Sequence, residues 1–220
     1  MSAKKINMDM TLAEVARQLR QPEGEGGVKM GMQMNKSNRL IYEMTLNFLQ
    51  MKKEDAILEI GMGNGHFVRE LIKKEPSVYY AGIDLSDVMV EAARRENEGI
   101  TFHCAAAEKM PVEDAGFNKV FGVNVLYFWD QPAVTLKEIA RVLKPAGELI
   151  LAIRSKATMQ LLPFIDSGFT LYDIETATEL LEQNGFHVTE VIRATEPEKL
   201  AADGSKLVQL ENICIRSVKI

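Results

Sequence analysis

Twelve residues constrain this chain more than any others: Ile57-Leu58-Glu59-Ile60-Gly61-Met62-Gly63-Asn64-Gly65-His66-Phe67-Val68. A mostly apolar run meets three glycines at alternate positions, and a helical apolar period follows at Phe67, Val68, Leu71 and Ile72. That pattern predicts a buried strand, a tight turn and a helix start. Glycine is required where the backbone turns with positive φ or where a ligand must approach it closely. A helix opening just after such a turn directs free N–H groups toward the gap.

The spacing narrows the ligand. A dinucleotide fingerprint reads Gly-x-Gly-x-x-Gly, whereas here the third glycine comes one residue early and His66 takes the sixth position. A second strand, Tyr79-Tyr80-Ala81-Gly82-Ile83-Asp84, ends in an acid about twenty residues past the glycines, where a carboxylate can accept from ribose hydroxyls. The ligand is therefore expected to contain a nucleoside, held by a loop that receives something other than a pyrophosphate. Gly61-Met62-Gly63-Asn64-Gly65 with Gly82-Ile83-Asp84-Leu85-Ser86 resembles the glycine motif and following acid of class I S-adenosylmethionine-dependent methyltransferases. The subgroup similar to ubiquinone/menaquinone-biosynthesis methyltransferases is the nearer match, over roughly residues 56 to 192.

Composition sets outer limits. The chain has 220 residues, 46% hydrophobic and 26% charged, enough for one full core and too few for two ordinary domains. A net charge of −5 gives no sign of the basic face that a general nucleic-acid binder carries. Cys104 and Cys214 each sit in a strand-like run and read as small buried hydrophobes, not as a disulfide or metal set. No apolar run reaches membrane-spanning length and no signal-type segment follows Met1, so the expectation is a soluble cytoplasmic protein without membrane insertion.

Taken in order, residues 1–37 form an N-terminal arm outside the nucleotide-binding pattern, and residues 38–220 the methyltransferase-like domain. Leu12, Val15, Ala16 and Leu19 make one helical stripe. Gln21 to Gly31, with Pro22 and four glycines, predicts a mobile loop. Met30, Met32 and Met34 alternate, suiting either a packing loop or a lid. A helix from Arg39, capped by Ser37 or Asn38, turns Leu40, Ile41, Met44, Phe48 and Leu49 inward. Strands are expected at 56–60, 78–84, 100–104, 119–125, 149–153, 186–194 and 212–220, and helices at 65–74, after Ser86, at 132–143 and at 175–184. A polar connection, 196–206, joins the last two strands. The expected fold is a Rossmann-like, seven-stranded, mostly parallel sheet flanked by helices, with an antiparallel C-terminal strand and an N-terminal helical lid.

The resemblance implies S-adenosylmethionine as cofactor and a small-molecule methyl acceptor. It implies that Gly61, Met62, Gly63 and Gly65 wrap the methionine part, with Glu59 ordering that loop through backbone N–H groups or water. Asp84 then accepts from the ribose, Leu85 and Met89 pack near the adenine, and Ala106 and Ala107 supply the adenine-edge backbone. Asn124 offers its carbonyl near the amine, and Tyr42 is a cofactor neighbour. The family's usual acid before the adenine-loop alanine is absent here; Glu108 reads as a solvated loop acid. Leu126-Tyr127-Phe128-Trp129-Asp130 places aromatics at the carboxyl end of a strand, suiting either an apolar, planar acceptor or core cover. Phe164 and Phe169 fall in an irregular segment that lines the acceptor pocket in the family. Methyl transfer from a sulfonium works largely by alignment. No catalytic residue is assigned: His66 reads as a helix-start residue, Tyr127 and Asp130 are alternatives, and no metal-ligand spacing is present. A non-catalytic S-adenosylmethionine-binding module and a nicotinamide-dependent oxidoreductase are the competing readings.

Overall fold

The computed structural model describes residues 10–200 and 207–220. The first part of the predicted arm and residues 201–206 of the polar connection lie outside the described residues. The chain runs α1 (Leu12–Arg20), α2 (Gly24–Ser37), α3 (Arg39–Phe48), β1 (Ala56–Ile60), α4 (Val68–Lys74), β2 (Tyr79–Asp84), α5 (Asp87–Glu96), β3 (Thr101–Cys104) and β4 (Phe117–Val123). There follow α6 (Pro132–Val142), β5 (Leu143–Arg154), α7 (Lys156–Met159), α8 (Ile174–Gln183), β6 (Phe186–Thr195), the two-residue strands β7 (Lys199–Leu200) and β8 (Leu207–Val208), and β9 (Glu211–Lys219).

Seven strands form one sheet in the order β3-β2-β1-β4-β5-β9-β6. β1 to β5 pair in parallel, and β9 lies antiparallel between β5 and β6. β1 neighbours both β2 and β4, so the winding reverses there, and a crevice opens beyond the carboxyl ends of these strands. Alternate residues feed two cores, one on each face. Leu58, Ile60, Val120, Leu149 and Leu151 pack with Leu136 and Ile139 of α6 and Leu181 of α8. Ile57, Phe121, Val123, Ile150 and Ala152 pack with Ile41 and Leu46 of α3, Leu71 of α4 and Val90 of α5. This period-two sorting explains why the strands read as nearly continuous apolar runs: both faces are covered.

The arm departs from the sequence reading. Thr11 caps α1 in a reciprocal box with Glu14, as the apolar stripe implies. Gln21 to Gly31 is not a loop: α2 begins at Gly24 and continues to Ser37. Its glycines are packing devices. A Cβ on Gly27 would lie 2.6 Å from the carbonyl carbon of Pro22, and one on Gly31 would lie 2.8 Å from Sδ of Met89 in α5. Close approach of α2 to the α1–α2 turn and to α5 offsets the poor helix propensity of glycine. Met30 is buried, Met34 is half-buried and Met32 is exposed, the spacing of a helix face.

Smaller corrections follow. Leu40 points to solvent at 42% exposure because α3 buries Ile41, Leu46, Phe48 and Leu49 instead. β4 stops at Val123, since Asn124 adopts φ 57°. Cys104 is exposed at the end of β3, whereas Cys214 is buried; there the thiol is pushed up to about 11 by burial.

A buried carboxylate ties α3 to the sheet. Glu59 of β1 accepts from Tyr42 Oη of α3 at 2.7 Å and from Tyr80 Oη of β2 at 2.5 Å. Tyr42 in turn stacks on Phe67, with ring centroids 4.0 Å apart. Burial raises Glu59 to about 7, against the two tyrosine hydroxyls, which favour the charged form.

Two outcomes are expected. Gly27→Ala places a methyl against backbone and should cost about 1–3 kcal/mol. Hydrogen exchange should rise in α1 and α2 and stay unchanged in β1 and β4; unaltered exchange in the arm would refute the packing role. Because the folded Glu59 holds its proton to a higher pH than the unfolded chain, its contribution to stability is lost as pH rises from about 4.5 to about 7, a change of order 3 kcal/mol. Glu59→Gln should remove that slope; equal slopes for both proteins in urea unfolding at pH 5 and 7.5 would exclude it.

Candidate functional site

The turn after β1 is fastened to β2. Gly61 donates its N–H to the Ile83 carbonyl at 2.7 Å, and Gly63 donates to Oδ2 of Asp84 at 2.8 Å. All three glycines of the turn adopt positive φ, where only glycine sits without strain. Gly61 has φ 70°, and a Cβ there would fall 2.3 Å from Cγ1 of Val125. Gly63 has φ 58° and nothing within 4 Å of where its Cβ would be, so bare backbone faces open space. The other carboxylate oxygen of Asp84, Oδ1, accepts from Ser86 N–H at 2.8 Å. Burial raises the Asp84 carboxyl, opposed by the N–H groups of Ser86, Gly63 and Leu85.

These groups border a cavity of about 490 Å³ at the carboxyl edge of the sheet. Of the residues singled out in the sequence, Gly61, Met62, Gly63, Asp84, Met89 and Asn124 line it, with Tyr42, Tyr127, Phe128, Phe164 and Phe169. Glu59, Gly65, Leu85, Ala106 and Ala107 do not. Glu59 is spent on two tyrosines, so the loop's acid is Asp84, not Glu59. Leu85 faces solvent at 40% exposure. Gly65 lies under the turn, where a Cβ would meet Asn97 and Ala93 of α5.

The arm roofs this space. Met30, Gly31 and Met34 of α2 line it with Val15 and Leu19 of α1. Ser86, whose Oγ caps α5 through Met89 N–H, donates the same hydroxyl to the Pro22 carbonyl at 2.5 Å. Arg20 pairs with Asp130 on the far side. Both partners of that pair are exposed, so it orients the arm more than it stabilises it.

Asn124 uses its left-handed backbone to turn inward, bonding Asn38 Oδ1 through Nδ2 at 3.2 Å and accepting from Tyr127 Oη at 3.1 Å. Tyr127 is buried and clasps the backbone of Arg154, and burial raises its hydroxyl above the ordinary range. Neither it nor the ion-paired Asp130 is poised as a base, and His66 is exposed, edge-on to Phe67 at 4.8 Å. Trp129 is buried as core cover. Glu108 accepts from Thr135 Oγ1 at 3.4 Å, away from the cavity.

Two lining residues escaped the sequence reading. Asn64 Oδ1 and Arg154 Nε are buried without a hydrogen-bond partner. Each such group costs about 1–3 kcal/mol when left unpaired, and both residues line the cavity. The signal for Asn64 was its place between two glycines; nothing local distinguished Arg154. Among the described residues no cluster of His, Cys, Asp and Glu could hold a metal, and no helix is long and apolar enough to cross a membrane.

The open backbone at Gly63, the orphaned Asn64 oxygen and the Asp84 carboxylate fit a ligand carrying an amino-acid end and a ribose. Residues 58–151 match the methyltransferase domain family. The uncharacterised methyltransferase YdaC of Bacillus subtilis is 31% identical over 128 residues, 57% of this chain and 71% of that protein. The ubiquinone/menaquinone biosynthesis C-methyltransferase of Neisseria meningitidis is 36% identical over 127 residues, 54% of this chain and 51% of that protein. Among solved structures, a SAM-dependent methyltransferase from Aquifex aeolicus superposes with TM-score 0.67 at 17% identity, covering 96% of this chain and all of that one. A chain of the complex between the Haloferax volcanii Trm112 methyltransferase activator and a methyltransferase superposes with TM-score 0.75 at 17% identity, over 96% of this chain and 99% of that one. With glycine turn, β2 acid and strand order all in place, the chain belongs to the class I S-adenosylmethionine-dependent methyltransferases.

Proposed function

We propose that this methyltransferase acts on a small-molecule acceptor, with residues 1–37 as a lid over residues 38–220. The observation that carries the reading is a continuous cavity that joins the glycine turn to an aromatic wall beneath α1 and α2. When bound, S-adenosylmethionine supplies an electrophilic methyl group on a sulfonium. The residues of the chain hold and align. The backbone of Gly61, Met62 and Gly63 and the Asn64 oxygen receive the amino-acid end, Asp84 the ribose hydroxyls, and Met89 the base. Asn124 fixes the turn after β4 between the two halves of the cavity. Phe128, Phe164 and Phe169, with centroids 4.9–5.6 Å apart in sequence of contact, present an apolar surface to the acceptor and exclude water. Glu59 and Gly65 support this site from outside it, and Leu85, Ala106 and Ala107 flank it.

Asp84→Ala should weaken S-adenosylhomocysteine binding by about 1.5–3 kcal/mol, the range for a charged hydrogen bond. Calorimetry showing unchanged affinity would remove Asp84 from the cofactor site. Binding of S-adenosylhomocysteine should also slow amide exchange in α1 and α2. Unaltered exchange there would make the arm a packing element and not a lid.

A further inference from the structure

Among the described residues, three charged side chains line the cavity: Arg20, Asp84 and Arg154. Asp84 serves the turn, and Arg20 is engaged by Asp130. Arg154, at the end of β5, is ion-paired to Glu196 through Nη2 only, leaving Nε free of that pair. Its Nη2 donates to the Ser37 carbonyl at 2.6 Å and lies 3.5 Å from Oε1 of Glu196, an oxygen that also accepts from Asn212 Nδ2 at 3.2 Å. Its Nε–H is buried with no acceptor, and the side chain is only 11% exposed. The surroundings at this end are Tyr127, Phe128, Phe164, Phe169 and Leu162, joined through ring contacts of 4.9–6.4 Å. Tyr127 links the aromatic wall to the end of β5, because its hydroxyl clasps the backbone N–H and carbonyl of Arg154.

We propose that the acceptor end of this cavity receives a flat, apolar carboxylate anion, its ring against Phe128 and Phe169 and its carboxylate on Arg154 Nε. The proposal rests on the methyltransferase reading and names the substrate class. A guanidinium keeps its charge when desolvated and matches carboxylate geometry, and a charge-assisted bond made among apolar side chains discriminates strongly against a neutral ligand of the same shape. The bonds to the Ser37 carbonyl and Glu196 hold the guanidinium, and Tyr127 holds the backbone that carries it, before the ligand arrives, so little ordering is left to binding. Ser37 closes α2, so the same guanidinium also joins the acceptor end to the arm.

The test uses the full chain saturated with S-adenosylhomocysteine and titrates 2-naphthoate against 2-naphthamide, its neutral counterpart, by calorimetry. Failure of S-adenosylhomocysteine itself to bind would count against the cofactor site, and is read separately. With that cofactor product bound, naphthoate should bind at least about tenfold more tightly than naphthamide, the factor a single charged bond of this kind supplies. In Arg154→Gln the preference should shrink to about twofold or less, while Phe169→Ala should weaken both ligands by a similar factor and keep the preference. Equal binding of the two probes, or a preference that survives Arg154→Gln, would overturn the proposal. Should Arg154→Gln lose S-adenosylhomocysteine binding and so prove misfolded, Arg154→Lys replaces it, keeping the charge near Glu196 without the Nε–H. A loss of about fivefold or more in naphthoate affinity is then expected, and an unchanged affinity overturns the assignment.

Discussion

Everything at the carboxyl edge depends on how the end of β2 captures the turn after β1. Ile83 offers a carbonyl and Asp84 a carboxylate, and between them they take the N–H groups of Gly61 and Gly63. A turn of three glycines has little conformational preference of its own. These bonds supply the order that the glycines lack, leaving the bare backbone of Gly63 facing the cavity. Asp84 is held just as firmly in return, because Ser86 N–H fixes its second oxygen and the Ser86 hydroxyl goes on to the arm. Turn, acid, helix cap and roof are thus one hydrogen-bonded series.

The two acids near the turn divide the work in a way that their sequence positions conceal. Glu59 precedes the glycines immediately, yet its strand face directs it away from the cavity, into the layer with Ile57, Phe121 and Leu71. There an ionised carboxylate is costly, and the hydroxyls of Tyr42 and Tyr80 offset only part of that cost. The result is a carboxyl that titrates near neutrality and anchors α3 while α3 carries Tyr42 and Asn38 to the rim. Asp84, also buried, lies at the strand end, and so reaches both the turn and the cavity.

How much of this was legible follows from the range of each signal. Strand positions were readable because Ile57-Leu58-Glu59-Ile60 and Leu149-Ile150-Leu151-Ala152-Ile153 combine apolar runs with turn residues close by, and the local pattern coincides with tertiary burial. The α2 helix was not, because its glycines are justified only by Pro22 and Met89, contacts that a local window does not contain. Leu40 was misplaced by one helical step for a similar reason: the face α3 buries is set by Glu59 and the sheet. The glycine turn and Asp84 were legible as a site through their spacing. Arg154 was not, since an arginine at a strand end has no local mark, and only the folded structure shows its Nε–H to lack a partner. Cys104 looked buried because it sits in a strand-like run, but the strand ends there and the thiol emerges.

The position of β9 has a consequence for how the chain comes off the ribosome. β5 and β6 are both synthesised before the strand that separates them, so neither can acquire its final neighbour until β9 has emerged. Until then β5 presents an unpaired edge of nearly unbroken aliphatic side chains, Leu149 to Ile153, a surface prone to pairing with another nascent chain. The five parallel strands and the glycine turn all precede β9 in the chain, whereas Arg154, at the end of β5, meets its neighbour Asn212 only once that last strand is made.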